Sequence, residues 1–491
     1  MDQPDPFDEV LQMLTTLVGE EIAHEMVEHM RAQGIDPSQL PLPTGPVNAE
    51  IGRQMMAQVQ AIFFSSTAPV NWNVAHELAL TRVREEDHPV SAQRAEELRR
   101  LLVQADLWLD PVTELTCALP RRAAWSREGW IAGTFDVWQQ LFEPVAENAT
   151  RAITSALETQ LGPDGLADSG LSAQMPGLGQ LMGGTDPKQF IEQMGASLFG
   201  MQLGQAIGGL ALDALGSTDI GIPLGNIHCV ALVDANVAAF AADLDVDATS
   251  VEAFLAVREA AHARLFGAAP WLRAHVVDAV RRYAAEISLD MDAIEDAVRE
   301  AMSGEGADAM RNPEDIANSL STSLFSPSPT PAQQEAMDEL ATTLALIEGW
   351  VAEVTQRACA PFIPHTVALS EMMRRRRASG SPTEQILRSF VGLQLRPKRA
   401  RDAQALWAHL SNELGIAGRD GLWAHPSVLP KPSDLDDPTT FSARRERERA
   451  AQADVDDELA RLLGGTLGYA SGLEPGTESE GDESVTSSSD S

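Results

Sequence analysis

The chain has 491 residues, 44% of them hydrophobic, which is enough for sizeable cores and suggests roughly two to four domains. Its 36 Lys and Arg face 72 Asp and Glu, for a net charge of -36. That balance excludes a general DNA or RNA binder, which needs clustered positive charge against phosphate, and it excludes docking on an anionic membrane.

The N-terminal stretch MDQPDPFDEV is acidic and lacks the apolar core of a signal peptide. Cys117, Cys229 and Cys359 are widely spaced and odd in number, which is no disulfide framework and suits a reducing cytoplasm. Apolar residues at helical spacing predict a helix over 8–33, closed by Gly34. Further helices are predicted over 46–66, 72–84 and 91–108, then a longer one over 135–161 with Pro144 as a kink or break. These make an N-terminal helical region, 1–161. Residues 162–188 hold seven glycines with Pro163, Pro176 and Pro187, and read as a linker or mobile loop.

A helical segment over 190–215 follows. Gly200, Gly204 and Gly208 lie on one face of it and predict close approach of another helix. Its apolar part contains Gln202, Gln205 and Asp213 and falls short of the roughly 20 residues a membrane span needs, so no span is expected. A short strand is predicted within 227–233. Thr249 and Glu252 form a T-x-x-E capping box that opens a helix running to Phe266. Helices over 271–286, 332–360, 364–378 and 382–393 come next, and 418–441 reads as irregular. A charged helix occupies 442–466. Residues 467–491 form an acidic, Ser-rich tail expected to be disordered. The fold class is mainly α, with at most a few short strands.

The most informative segment is Arg258-Glu259-Ala260-Ala261-His262. A zincin helix reads H-E-x-x-H, with two histidines one turn apart on one face so that both reach one Zn²⁺. The Glu between them is the general base on the metal-bound water. Here Glu259 and His262 stand in place, and Arg258 holds the first ligand position. A guanidinium has no lone pair to give and repels a dication. Glu348, within LALIEGW 86 residues further on, suits a third ligand on a following helix. Arg258 is placed to pair with Glu348 or with Glu259, and such a salt bridge would take the place of the metal.

Longer runs carry a resemblance. REAAHARLFGAAPWLRAH (258–275), LALIEGWV (344–351), RRRRASGSPTEQILRSFVGLQLRPKRARDAQALW (374–407) and RDGLWAHPSVLPKPSDLDDP (419–438) resemble the actinobacterial zincin-like family. MQLGQAIGGLALDALG (201–216) and VNWNVAHELA (70–79) are similar too, so the likeness spans roughly 46–440. The family implies a mainly helical zincin-like domain, here 189–441, and the labels hydrolase or zinc-dependent metalloprotease. Carried over residue by residue, it makes Glu259 the general base and His262 and Glu348 zinc ligands, with zinc as the cofactor. Two function classes stay open: a zinc metallopeptidase-type hydrolase, and a non-catalytic zincin-fold binding or scaffolding protein with an unidentified protein or peptide partner.

Other signals are weaker. His24 and His29 are five residues apart and face apart on a helix, and His76-Glu77 has Leu80 where a second histidine would stand. The pairs His228–Cys229 and Cys359–His365 have no recognised ligand spacing. No G-x-S-x-G elbow, phosphate-binding loop or dinucleotide fingerprint is present. Residues 374–401 form a basic island of nine Arg or Lys against Glu384. It is either a docking surface for an acidic partner or a helix end whose arginines pair with the chain's own acids.

Overall fold

A computed structural model describes residues 68–116, 121–161, 187–219, 221–222, 229–287, 330–379 and 399–463. The helices expected over 8–33, 46–66 and 382–393, the acidic tail and residues 162–186 of the Gly/Pro-rich linker lie outside these residues, as does His228, while Pro187 and Lys188 of that linker open a helix. The chain forms two compact units, Met1–Leu435 and Asp436–Ser491.

The first unit is a helical assembly around a two-stranded parallel sheet. In chain order it runs α1 (Trp72–Arg84), α2 (Ala92–Leu109), β1 (Arg121–Trp125), α3 (Arg127–Leu161), α4 (Pro187–Asp213), β2 (Cys229–Val233) and α5 (Asp234–Ala242). It continues through α6 (Ala248–Ala268), α7 (Trp271–Ala285), α8 (Pro331–Cys359), α9 (Thr366–Ser379) and α10 (Ala400–Asp420). Three short 3₁₀ turns (Gly421–Trp423, Pro426–Val428 and Pro438–Thr440) and α11 (Pro432–Asp436) occupy most of the stretch expected to be irregular. The charged helix of the second unit is α12 (Phe441–Leu463). No helix among the described residues is long and apolar enough to cross a membrane.

The helix expectations hold where apolar periodicity is strong, and three local readings change. Pro144 sits inside α3 without ending the helix. Asp247, not Thr249, caps α6: its side chain accepts from the backbone N–H of Ser250. Glu252 is free of any capping role and instead receives the Arg94 guanidinium at 2.6 Å. The strand β1 and the helices α5 and α10 have no counterpart in the periodicity reading. Strand β1, RRAAW, lacks the β-branched residues that mark strands. It is extended because it pairs with β2, in register from Arg121 opposite Cys229 to Trp125 opposite Val233.

Helix α6 is the centre of the unit. Nearly every side chain from Val251 to Phe266 is buried, against α2, α5, α8, α9 and β2. Ala253, Ala256, Ala260, Ala261 and Ala263 keep it thin enough to be packed on all sides. The stripe Gly200-Gly204-Gly208 of α4 does what its spacing predicts: it lies against α1, with the carbonyl of Ala75 only 2.6 Å from where a Cβ at Gly204 would stand. Helix α8 meets α10 at Gly349, where a Cβ would fall 2.6 Å from the backbone of Ala403 and Gln404. A buried polar knot locks this frame. Asp420 accepts from Arg419 Nε at 2.7 Å, Trp350 Nε1 at 3.0 Å and Thr113 Oγ1 at 2.7 Å, which joins the segment after α2 to α8 and α10.

Gly349→Ala should therefore lower unfolding free energy by about 1–3 kcal/mol in urea titrations, because neither backbone can retreat from the added methyl. Gly195→Ala, where nothing lies within 4 Å, is the control and should be neutral or slightly stabilising. Equal behaviour of the two would refute the close approach at Gly349.

Candidate functional site

Three charged or polar side chains of the R-E-A-A-H segment project from a helix with no exposed face. Arg258 is 5% exposed, Glu259 4% and His262 0%. Such groups must be partnered, since an unpaired buried charge costs several kcal/mol. The partners of Arg258 and Glu259 come from two other segments, while His262 bonds within its own helix, and together these groups define the site.

Arg258 and His262 are one turn apart and share a face. The Arg258 guanidinium pairs with Oε1 of Glu348, which α8 delivers from across the core. The other oxygen, Oε2, lies 2.7 Å from Arg377 Nη1 on α9, an ion pair by distance rather than an aligned hydrogen bond. Both oxygens of Glu348 thus face guanidinium groups. Of the two pairings open to Arg258, the one with Glu348 is formed.

Glu259 points elsewhere, toward the segment after α4. That segment runs beside β2, pinned by Ser217 N–H to Ala231 O and Val233 N–H to Leu215 O, each 2.9 Å. It brings Ser217 and Thr218 over the carboxylate. Ser217 Oγ and the Thr218 backbone N–H donate to Oε1, the latter at 2.9 Å, and Thr218 Oγ1 donates to Oε2 at 2.9 Å. Only a glycine fits at 216, where a Cβ would collide with that carboxylate. Asp219, next in the chain, accepts from Arg376 at 3.0 Å and from the Leu215 N–H at 3.1 Å, and pairs with Arg377.

His262 donates from Nδ1 to the carbonyl of Arg258 at 3.1 Å, since a carbonyl only accepts. Nε2 then carries a lone pair, is buried, and has no hydrogen-bond partner among the described residues. It borders a cavity of about 10 Å³ lined also by Leu215, Leu232, Leu255, Asp219, Arg258 and Glu259. That is space for one water and not for a peptide bond.

Zinc does not fit this donor set. A catalytic zinc takes three converging protein donors plus water. The His262 Nε2 lone pair is available, but Glu348 is committed to two guanidinium groups and Glu259 to Ser217 and Thr218. Among the described residues, no group of three His, Cys, Asp or Glu side chains is arranged to hold a metal ion.

The charges are also tuned. Burial pushes the Glu259 carboxyl up to about 7 against the pull of the Ser217 and Thr218 hydrogen bonds, and the Asp219 charge pushes the same way. Burial, then the charges of Arg258 and Arg377, hold the His262 imidazole well below its ordinary range, so it is neutral. Burial alone would raise Asp219, but Arg376 and Arg377 outweigh it and hold that carboxyl below the usual range.

Sequence reasoning found Arg258, Glu259, His262 and Glu348, and missed Ser217, Thr218 and Asp219. The available signal was position: S-T-D directly follows the glycine-spaced helix. Arg376 and Arg377 were read only within the basic island. Arg374 and Arg375 pair with Glu371, and Arg376 and Arg377 with Asp219, so this part of the island is bound to the chain's own acids. His76 packs edge-on against Phe135. Cys359 is a buried thiol that burial pushes up to about 12, while His365 is exposed.

Two outcomes follow from this geometry. Arg258→Met leaves Glu348 short of a partner and should cost about 3–5 kcal/mol of unfolding free energy; a change under about 1 kcal/mol would show the pair to be dispensable. The second concerns pH. An acid raised by folding stabilises fully below its ordinary 4.5 and loses that contribution as pH climbs to about 7. His262 works oppositely, losing stability as pH falls below 6.5, so wild type is compared with Glu259→Gln to remove the histidine from the difference. The advantage of wild type over Glu259→Gln should shrink between pH 4.5 and about 7 in paired denaturation curves; a constant difference would show Glu259 ionised throughout.

Comparison with known proteins places this geometry in a family. One solved structure, from Chloroflexus aurantiacus and described as "a putative hydrolase with a novel fold", superposes with a TM-score of 0.51 at 18% identity, covering 77% of this chain and 99% of that one. At that identity the likeness concerns the fold. No curated protein matches the chain. The pattern of the zincin-like metallopeptidases matches residues 70–442, from just before α1 to the start of α12, and so takes in Arg258, Glu259, His262 and Glu348. The chain belongs to the zincin-like metallopeptidase family.

Proposed function

We propose that this chain is a zincin-fold protein that works without zinc and without the peptidase step, in a binding or scaffolding role toward a protein or peptide. The observation that carries this reading is the buried pair of Arg258 with Glu348. The first ligand position holds a cation, and that cation takes up the carboxylate that would otherwise serve as a ligand. The site's burial supports the same conclusion, since the cavity beside His262 holds about 10 Å³.

A second reading, hydrolysis by a modified site, has one observation in its favour. Glu259 is held near 7, where a general base is most effective, and shares the cavity with the unpartnered His262 Nε2. The family and the label of the Chloroflexus aurantiacus protein lean the same way.

Metal analysis and peptidase assays on purified wild type and Glu259→Gln separate the two. Under the proposal, no stoichiometric zinc is found and both proteins show the same background activity. One zinc per chain that disappears in His262→Ala defeats the proposal. A metal-independent activity lost in Glu259→Gln favours the second reading.

A further inference from the structure

Zinc is excluded at this site by more than Arg258. We infer that Arg377 is the other half of a two-guanidinium plug: with Arg258 it brings to Glu348 the two positive charges that a zinc dication would supply, so a histidine at position 258 does not by itself reopen the metal site. This inference rests on the zinc-free reading above and adds a second residue, on another helix, that enforces it.

The geometry carries it in three steps. First, Glu348 is divided between the two cations, Oε1 to Arg258 and Oε2 to Arg377 at 2.7 Å. All three side chains are shielded from water, at 6% exposure for Arg258 and Glu348 and 11% for Arg377, so each contact acts at low dielectric. Second, Arg377 is held there without help from Arg258. Its Nη2 donates to the backbone carbonyl of Asp219, and its guanidinium pairs with the Asp219 carboxylate, itself 9% exposed. Asp219 is in turn fixed by Arg376 at 3.0 Å and by the Leu215 N–H at 3.1 Å. Third, the charges balance without a metal. Arg258 and Arg377 meet Glu348, and Arg376 and Arg377 meet Asp219, so each of these two carboxylates is matched by two guanidinium groups. Zinc entering beside Arg377 would have to take Glu348 from a buried guanidinium and then share the space with it.

The cluster also replaces the cross-link a metal would provide. A zinc on this site would tie α6 to α8. The plug ties α6 to α8 through Arg258, then α8 to α9 through Arg377, and α9 to the segment beside β2 through Asp219.

The test uses full-length wild type, Arg258→His, Arg377→Gln and the double variant. Each is stripped with chelator, checked for fold by circular dichroism, and titrated with zinc against a competing chelator. Cobalt(II) absorption serves as an independent report of tetrahedral coordination. Gln is chosen because it keeps a donor for Asp219 while removing the charge; Arg377→Met carries the same expectation if the Gln variant does not fold. The inference expects stoichiometric zinc only in the double variant, bound at least about tenfold more tightly than in Arg258→His, with a zinc-dependent rise in melting temperature. Stoichiometric zinc in Arg258→His alone, at the double variant's affinity, overturns it. So does a folded double variant that binds no zinc. Zinc in the wild type, lost in His262→Ala, instead overturns the zinc-free reading on which the plug rests.

Discussion

The buried ion pair between Arg258 and Glu348 is the constraint around which the rest of the first unit is arranged. Helix α6 has no solvent face, so a guanidinium on it cannot reach water by extending its side chain. It has to be met by a carboxylate inside the core, and α8 is the helix that brings one. Taking two charges out of water costs several kcal/mol per ion, and the pair repays this only when the remaining polar atoms are also satisfied. The second oxygen of Glu348 therefore needs Arg377, Arg377 needs Asp219, and Asp219 needs Arg376 and a backbone N–H. The network reaches α9 and the segment beside β2 because each charge calls for the next.

The sheet, although only two strands wide, is what makes the other half of the site. By pairing with the chain on both sides, β2 fixes the path of 214–219 as it passes over α6. Gly216 lets that path come within touching distance of the Glu259 carboxylate, and Ser217 and Thr218 then donate to it. A carboxyl held near 7 by burial can give or take a proton in neutral solution, which is the property a general base needs. Here the same hydrogen bonds close it off. The cluster thus joins a carboxyl raised by burial, Glu259, to a neighbouring carboxylate, Glu348, that two arginines neutralise.

The dependence runs back to the frame. Glu348 can meet Arg258 only if α8 stays in register with α10, which Gly349 permits by letting the two backbones touch. The knot at Asp420 and Trp350 ties the same two helices together a second time. A change remote from the charges can therefore disturb them by moving α8 by a fraction of an ångström, since close-packed interiors transmit displacement rather than absorb it.

What the sequence determined by itself was local. Apolar spacing placed α1, α2, α7, α8 and α9 within a few residues, because a helix facing a core writes its period into the chain. The order R-E-x-x-H with a distant Glu singled out Arg258, Glu259, His262 and Glu348, because one helical turn puts i and i+4 on one face. It also put a permanent cation, Arg258, one helical turn before His262. Long-range pairing decided the rest. Strand β1 and the course of Ser217, Thr218 and Asp219 depend on hydrogen bonds to β2, more than a hundred residues from β1, and no local pattern records them. Whether Arg258 would choose Glu348 or Glu259 could not be read from spacing, since both carboxylates were within reach. The tertiary structure decided it: Glu259 is turned toward Ser217 and Thr218, and Glu348 is the carboxylate that pairs with Arg258.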